Sequence, residues 1–367
     1  MKTRYTPIVN LTFVLLFIIL FFYVVTAAKH FLSPLVLAAI FSYLLYPLVT
    51  FLEKHRFNRI LANLISIILL ITVLSIAIHL IIRNLDGLIQ NLPNLRAQAH
   101  ANIDEMAAFI ERNFDVSIQE QKQLIKDGIT NLFRGGSDFS KSFFSATTST
   151  IFQLGILPVF IFYLLYYREK LFDFIMMITP KKRIKVIDKI IKEISYVTPR
   201  YIGGIFTVVI ILAILNSIGL YIVGLEYALL FGIISAIFNF IPYFGNWIGA
   251  SIPLTFALLT GDSLHLVLGV FILFLIIQFL ENNILTPNIT GRYVNLNPLF
   301  TIFIIIIGGL IWGIVGMFVV IPLMATVKIV FDNFKSLKPY AFLIGTNQSK
   351  KGMKWIIKLR SALNVKK

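Results

Sequence analysis

Gln278, Glu281, Asn282 and Asn283 crowd the end of Leu264–Phe279, an apolar run that contains no charged residue. A carboxylate is costly to leave in hydrocarbon, so it turns toward protein or water and marks a solute path. The neighbouring amides can donate and accept hydrogen bonds, which suits a polar solute or a cation shedding part of its water. A second polar element, Asn239, Pro242, Tyr243 and Asn246, interrupts the apolar stretch just upstream. These eight residues are the candidate substrate-binding set.

The chain lacks the patterns of most catalytic chemistry. No G-x-x-x-x-G-K-[ST] phosphate loop is present, which argues against an ATP-driven pump in one chain. Cysteine is absent, the five histidines are scattered, and no H-E-x-x-H occurs, so neither a zinc site nor a thiolate nucleophile is expected. No G-x-S-x-G elbow stands out. The sequence reads as a non-enzyme with no metal and no cofactor.

The elements that would position the polar residues are membrane helices. Of 367 residues, 58% are hydrophobic and 14% charged, where soluble domains carry about 25% charged residues. The expected class is an all-α polytopic membrane protein. Runs long enough to span are Ile8–Ala28, Leu32–Leu52, Ile60–Ile82, Thr150–Tyr167, Tyr201–Val223 and Leu264–Leu280. The first follows Lys2 and Arg4 like a signal peptide, but its apolar core is too long for one, and it reads as an uncleaved span.

Two further stretches, Tyr227–Thr260 and Leu299–Phe331, would each reach about 50 Å as straight helices, too far for one crossing. Both carry breakers: Pro242, Gly245, Gly249 and Pro253 in the first, and Gly308, Gly309, Gly313, Gly316 and Pro322 in the second. Two arrangements fit, either eight spans with two of them kinked, or six spans and two re-entrant or broken helical hairpins. Paired interrupted helices point to a transporter's binding site. The two breaks are expected to meet near the middle of the membrane.

Charge sets the orientation. Residues 168–200 hold nine Lys/Arg against four acids, and 328–367 hold ten against one, whereas 83–146 hold seven against eight. Basic loops stay in the cytoplasm, which places both termini and 168–200 in the cytoplasm and 83–146 outside, in a multi-pass protein of the cytoplasmic (inner) membrane. The expected organisation is three transmembrane helices over 1–82, a small helical extracytoplasmic insertion over 83–146 and a helix over 147–167. After these come a basic amphipathic helix over 168–200, a transport core over 201–333 and a basic tail over 334–367. Leu88, Leu92, Leu95, Ala99 and Ile103 give the insertion helical spacing, and Ser117 with Glu120 suggests a second helix ended by Gly135-Gly136. The net charge of +16 lies in loops and tail, so the expected partner is lipid and not nucleic acid.

Taken in order, these features resemble the autoinducer-2 exporter family, the PerM-type permeases. The resemblance rests on Pro34 and Pro47 in span two, Arg59 before span three, and Asn239-Phe240-Ile241-Pro242-Tyr243-Phe244-Gly245 as an N-x-I-P-x-x-G element. Gln278, Glu281, Asn282, Leu285, Pro287 and Gly291 fit Q-x-x-E-N-x-x-L-x-P-x-x-x-G, and Pro298 with the later glycines fits the closing segment. Asn246 departs from the pattern, where a Pro is common.

The family includes autoinducer-2 exporters and members described as sodium/proton antiporters. The resemblance therefore implies a transporter that works without ATP hydrolysis and leaves its solute open. A small polar solute or a cation fits one carboxylate among amides. A sodium(lithium)/proton antiporter and a non-transport scaffold acting through the outer segment are the alternatives, and a homo-oligomer is left open. Pro287, Gly291 and the breaker residues above are read as hinge or structural positions.

Overall fold

A computed structural model describes residues 7–114, 148–261, 263–290 and 295–346. Among them no β-strand occurs, apart from an isolated bridge between Leu296 and Gly345. The chain is an all-α polytopic membrane protein. Five of the described helices are long and apolar enough to cross a bilayer, and shorter apolar helices accompany them.

Two compact units divide the chain, one drawn from 1–64, 156–203 and 292–367, the other from 65–155 and 204–291. In the first unit, α1 (Pro7–Ala27) exposes nearly every side chain, as a lipid-facing helix of uniformly apolar sequence does. Helix α2 (Lys29–Lys54) buries Pro34, Ala38, Ser42, Leu45 and Val49, a stripe at helical spacing. Its end is tied down by charge: Glu53 accepts from Arg168 at 2.5 Å, and Arg59 pairs with both Glu53 and Glu169.

Helix α3 (Arg59–Phe114) does not stop where its apolar run ends at Ile82. At 56 residues it is about 84 Å long. Its far half buries Leu95, Ala99 and Ile103, the positions whose spacing predicts a helix there. The second helix expected around 117–132 and the basic tail beyond residue 346 lie outside the described residues. Next come α4 (Thr148–Tyr166), α5 (Arg168–Ile178) and, after a 3-10 turn, α6 (Ile184–Val223). The basic segment is thus broken near Thr179-Pro180, and only its part from Ile184 runs on with the following span as one helix of 40 residues, with Pro199 inside it.

The stretch 227–260 is a helical hairpin. Helix α7 (Ala228–Phe238) and α8 (Gly245–Thr260) flank a turn in which Tyr243 takes a left-handed φ of 67°. With 11 residues, α7 reaches only about 16 Å, half of a hydrocarbon core. The arms touch through backbone: Ser235 Oγ donates to the Gly249 carbonyl at 2.6 Å, and a Cβ on Gly249 would lie 2.6 Å from the Ser235 carbonyl oxygen. On a straight helix residues 14 apart would be separated by about 21 Å. The apolar faces of the pair close around Leu220, Phe231, Ala257 and Val270.

Helix α9 (Leu264–Leu280) continues through a wide π-turn, Glu281–Leu285, into the short α10 (Thr286–Ile289). Back in the first unit, α11 (Pro298–Asn333) also reverses. Trp312 and Gly313 leave helical geometry, Gly313 at φ 63° and ψ −142°, and a Cβ on Gly316 would lie 1.9 Å from the Gly308 carbonyl oxygen. Residues eight apart on an unbroken helix are about 12 Å apart, so the chain folds back at Trp312-Gly313. The indole of Trp312 donates to the Val25 carbonyl at 3.1 Å, joining the turn to α1. A last short helix, α12 (Lys338–Ile344), closes the described chain.

Candidate functional site

Glu281 is the first residue of the π-turn and is only 6% exposed. Helix α9 carries it past an apolar run, and the turn's extra width departs from the α-helix at this residue. Such π-turns are rare and concentrate at functional sites. Asn239, the C-cap of α7, donates its Nδ2 to one carboxylate oxygen at 2.8 Å. Asn246, in the first turn of α8, donates its Nδ2 to the other at 2.8 Å. The break in the hairpin thus puts one amide on each side of the carboxylate. Pro242 and Tyr243 between them form the turn itself.

Those two amides are neutral. Among the described residues no cation lies within ion-pairing distance of Glu281, and Arg292, the nearby basic residue in sequence, falls outside the described set. A buried carboxylate needs both hydrogen bonds and compensating charge. Here the hydrogen bonds are made, and among the described residues the compensating charge is not. The group is therefore suited to receive a positive or hydroxyl-bearing partner.

Room for one exists beside it. A cavity of about 20 Å³ is lined by Glu281, Asn246, Gln278, Ser235 and Asn216, with Leu212, Ala250, Phe274 and Ile277 as its apolar wall. That volume holds roughly one water-sized species. Asn216, on α6, is 4% exposed and its Oδ1 is buried with no hydrogen-bond partner among the described residues. Sequence reasoning missed Asn216 and Ser235. Their signal was slight, single small polar residues within apolar runs.

The other sequence candidates distribute unevenly. Gln278 lines the cavity; Asn282 and Asn283 are exposed, and Asn283 donates instead to the Phe279 carbonyl at 2.8 Å. Gly245 and Gly249 sit in the contact between hairpin arms, Pro253 is fully buried in α8, and Pro287 is exposed at the start of α10. Gly291 lies outside the described residues. Gly308, Gly309, Gly313 and Gly316 belong to the second hairpin, where Gly309 packs against Met317, and Pro322 is buried beyond it.

Comparison with known proteins places this arrangement. The AI-2E family transporter profile matches residues 13–336. YrrI of Bacillus subtilis is 28% identical over 316 residues, covering 83% of this chain and 87% of that protein. YueF of the same organism is 29% identical over 315 residues, covering 83% and 84%. The AI-2 transport protein TqsA of Escherichia coli is 26% identical over 326 residues, covering 86% and 90%. A family match over most of the chain, on a polytopic helical frame with a buried polar centre, shows that this protein belongs to the AI-2E transporter family.

Proposed function

We propose that the chain moves a small polar solute across the cytoplasmic membrane without ATP hydrolysis, and that the solute engages Glu281 between Asn239 and Asn246. The observation that carries this reading is the buried carboxylate held by two neutral amides beside a cavity with an unpartnered Asn216 oxygen. Broken helices expose backbone groups that lipid cannot satisfy, so the two hairpins are expected to border protein or water and to re-enter the membrane from its faces. A small hydrogen-bonding polyol is the first candidate solute. It requires the hairpin turn to move, because the cavity as it stands holds little more than one water.

That small volume favours a second reading, exchange of a monovalent cation such as sodium or lithium for protons. Dehydrated cations fit the space that a polyol does not, and Glu281 with the Asn216 oxygen supplies hard oxygen ligands. Proteoliposomes separate the two. Polyol efflux that is indifferent to sodium supports the first reading. Sodium- or lithium-driven alkalinisation of the lumen, reported by a trapped pH dye with no polyol flux, supports the second. The absence of both, with matched protein incorporation, removes transport through this site.

Orientation is proposed from the charge pattern: both termini and 168–200 are cytoplasmic and 83–146 is extracytoplasmic. Alkaline phosphatase fused at Asn113 is expected to be active, and fusions at Lys182 and Lys367 inactive. A cytoplasmic readout at Asn113 would overturn the topology.

A further inference from the structure

A second cavity, in the other unit and independent of the Glu281 reading, has the build of a lipid site. It measures about 720 Å³ and is bordered by α2, α4, α5 and the early part of α6. That size is within the range of sites for drug-sized molecules. Its lining is mixed. Leu164, Phe172 and Ile191 give an apolar side, while Tyr43, Arg168 and Asp173 bring polar groups to the lining.

The charged groups of the lining are not all satisfied by one another. Arg168 donates one nitrogen to Glu53 at 2.5 Å, and its guanidinium carbon stands 5.5 Å from the centre of the Tyr46 ring. Its other terminal nitrogen, Nη1, is buried with no hydrogen-bond partner among the described residues. Arg168 still lines the cavity with its side chain 21% exposed, and an arginine so placed can meet a phosphate oxygen. An anionic headgroup would nevertheless be opposed, because two guanidiniums here, Arg59 and Arg168, already face Glu53 and Glu169, and Asp173 adds a third carboxylate. Asp173 is exposed at the cavity lining, where a positive group can reach it.

The depth is that of a headgroup. Arg168 begins α5 immediately after the apolar α4 ends, and tyrosines cluster there, Tyr163 stacked on Tyr167 at 5.9 Å and Tyr166 edge-on to Tyr167 at 5.0 Å. Tyrosines gather at the membrane–water interface. We propose that this cavity binds a phospholipid with a zwitterionic, primary-amine headgroup of the phosphatidylethanolamine type. The phosphate lies against the accessible part of the Arg168 side chain, the ammonium sits at Asp173, and an acyl chain follows Leu164, Phe172 and Ile191.

The test is lipid retention by the full-length protein, purified in mild detergent, stripped, and re-exposed to mixed micelles of phosphatidylethanolamine and phosphatidylglycerol. Bound lipid is read by native mass spectrometry. The wild type is expected to prefer the ethanolamine lipid by about threefold, the scale of one exposed ion pair, and Asp173→Asn to abolish that preference. Because Asp173 is exposed and no described ion pair depends on it, this variant keeps the fold. Ala39→Phe, which fills the cavity from α2 without touching the ion pairs, is expected to cut retention of both lipids about tenfold. Equal retention of the two lipids by the wild type would overturn the proposal, as would full retention of phosphatidylethanolamine by Ala39→Phe. Millimolar phosphoethanolamine should leave the lipid in place, since it lacks the chain; complete displacement by it would overturn a membrane source.

Discussion

Glu281→Gln is expected to lower flux in proteoliposomes by about tenfold or more, the scale of one charge-assisted hydrogen bond lost in the working state, while the protein stays folded. The two effects separate because of what Gln can and cannot replace. Its carbonyl oxygen still accepts from one asparagine. Its amide nitrogen faces the other asparagine's donor, which turns over and offers its oxygen instead. The hydrogen bonds survive this exchange and only the charge is lost. Glu281→Ala goes further, since it strands the Asn239 and Asn246 amides in a buried place and costs about 1–3 kcal/mol for each left unsatisfied. Thermal unfolding in detergent should therefore move little for Gln and clearly for Ala, with flux low in both. Near-normal flux in either variant at matched incorporation would take Glu281 out of the mechanism.

Gly245→Ala and Gly316→Ala are expected to be the most damaging single-methyl additions to the fold. In each case the new carbon would fall 1.9 Å from a carbonyl oxygen, that of Phe238 or of Gly308. The obstacle is backbone on the facing arm, so no side-chain rotation relieves it and the hairpin must splay. Overpacking ordinarily costs about 1–3 kcal/mol, and these two belong at or beyond the upper end. Two controls set the scale. Gly309→Ala meets the mobile tip of Met317 and should cost less, and Gly203→Ala meets nothing within 4 Å. Alanine in that helix is expected to stabilise by roughly 0.5–1 kcal/mol. If Gly316→Ala unfolds at the same temperature as Gly203→Ala, the second hairpin does not have the tight backbone contact described above.

Glu281 could be found from sequence because a lone carboxylate after a long uncharged run has few physical excuses. Asn239 and Asn246 could be found because they bracket a helix break. That they face Glu281 follows from reading the stretch as a hairpin, but the distances depend on how the hairpin seats on α6 and α9. Asn216 shows the limit. Nothing local separates it from an asparagine that merely bonds its own helix, and its place at the cavity comes from helices that are remote in sequence.

The Glu53–Arg168 pair shows the same limit across 115 residues. Arg59 reads in the sequence as a charge standing before span three, whereas it also holds helix ends together. For Leu299–Phe331 the glycines allowed both a kinked span and a reversal, because small residues serve close packing and chain turning alike. The backbone angles at Trp312 and Gly313 decide for reversal. The end of the apolar run at Ile82 marks where composition changes, yet α3 continues, since a helix needs a suitable periodicity and not a constant polarity.

The wide turn at Glu281–Leu285 amounts to one residue more than an α-helix would use. Each residue of an α-helix advances the helical phase by about 100°, so this single addition sets the angle between α9 before the turn and α10 after it. Upstream, that phase aims Glu281 at the two asparagines. Downstream, it aims Thr290 at Gly204, where a Cβ would come within 2.9 Å of the Thr290 Cα. Removing one residue restores regular winding and puts the two contacts out of step, so one of them must be surrendered. The segment should thus tolerate a change of side chain better than a change of length. Deleting the exposed Ile284 is expected to abolish flux where Ile284→Leu leaves it intact, and equal flux from the two would mean that the extra residue carries no phase information.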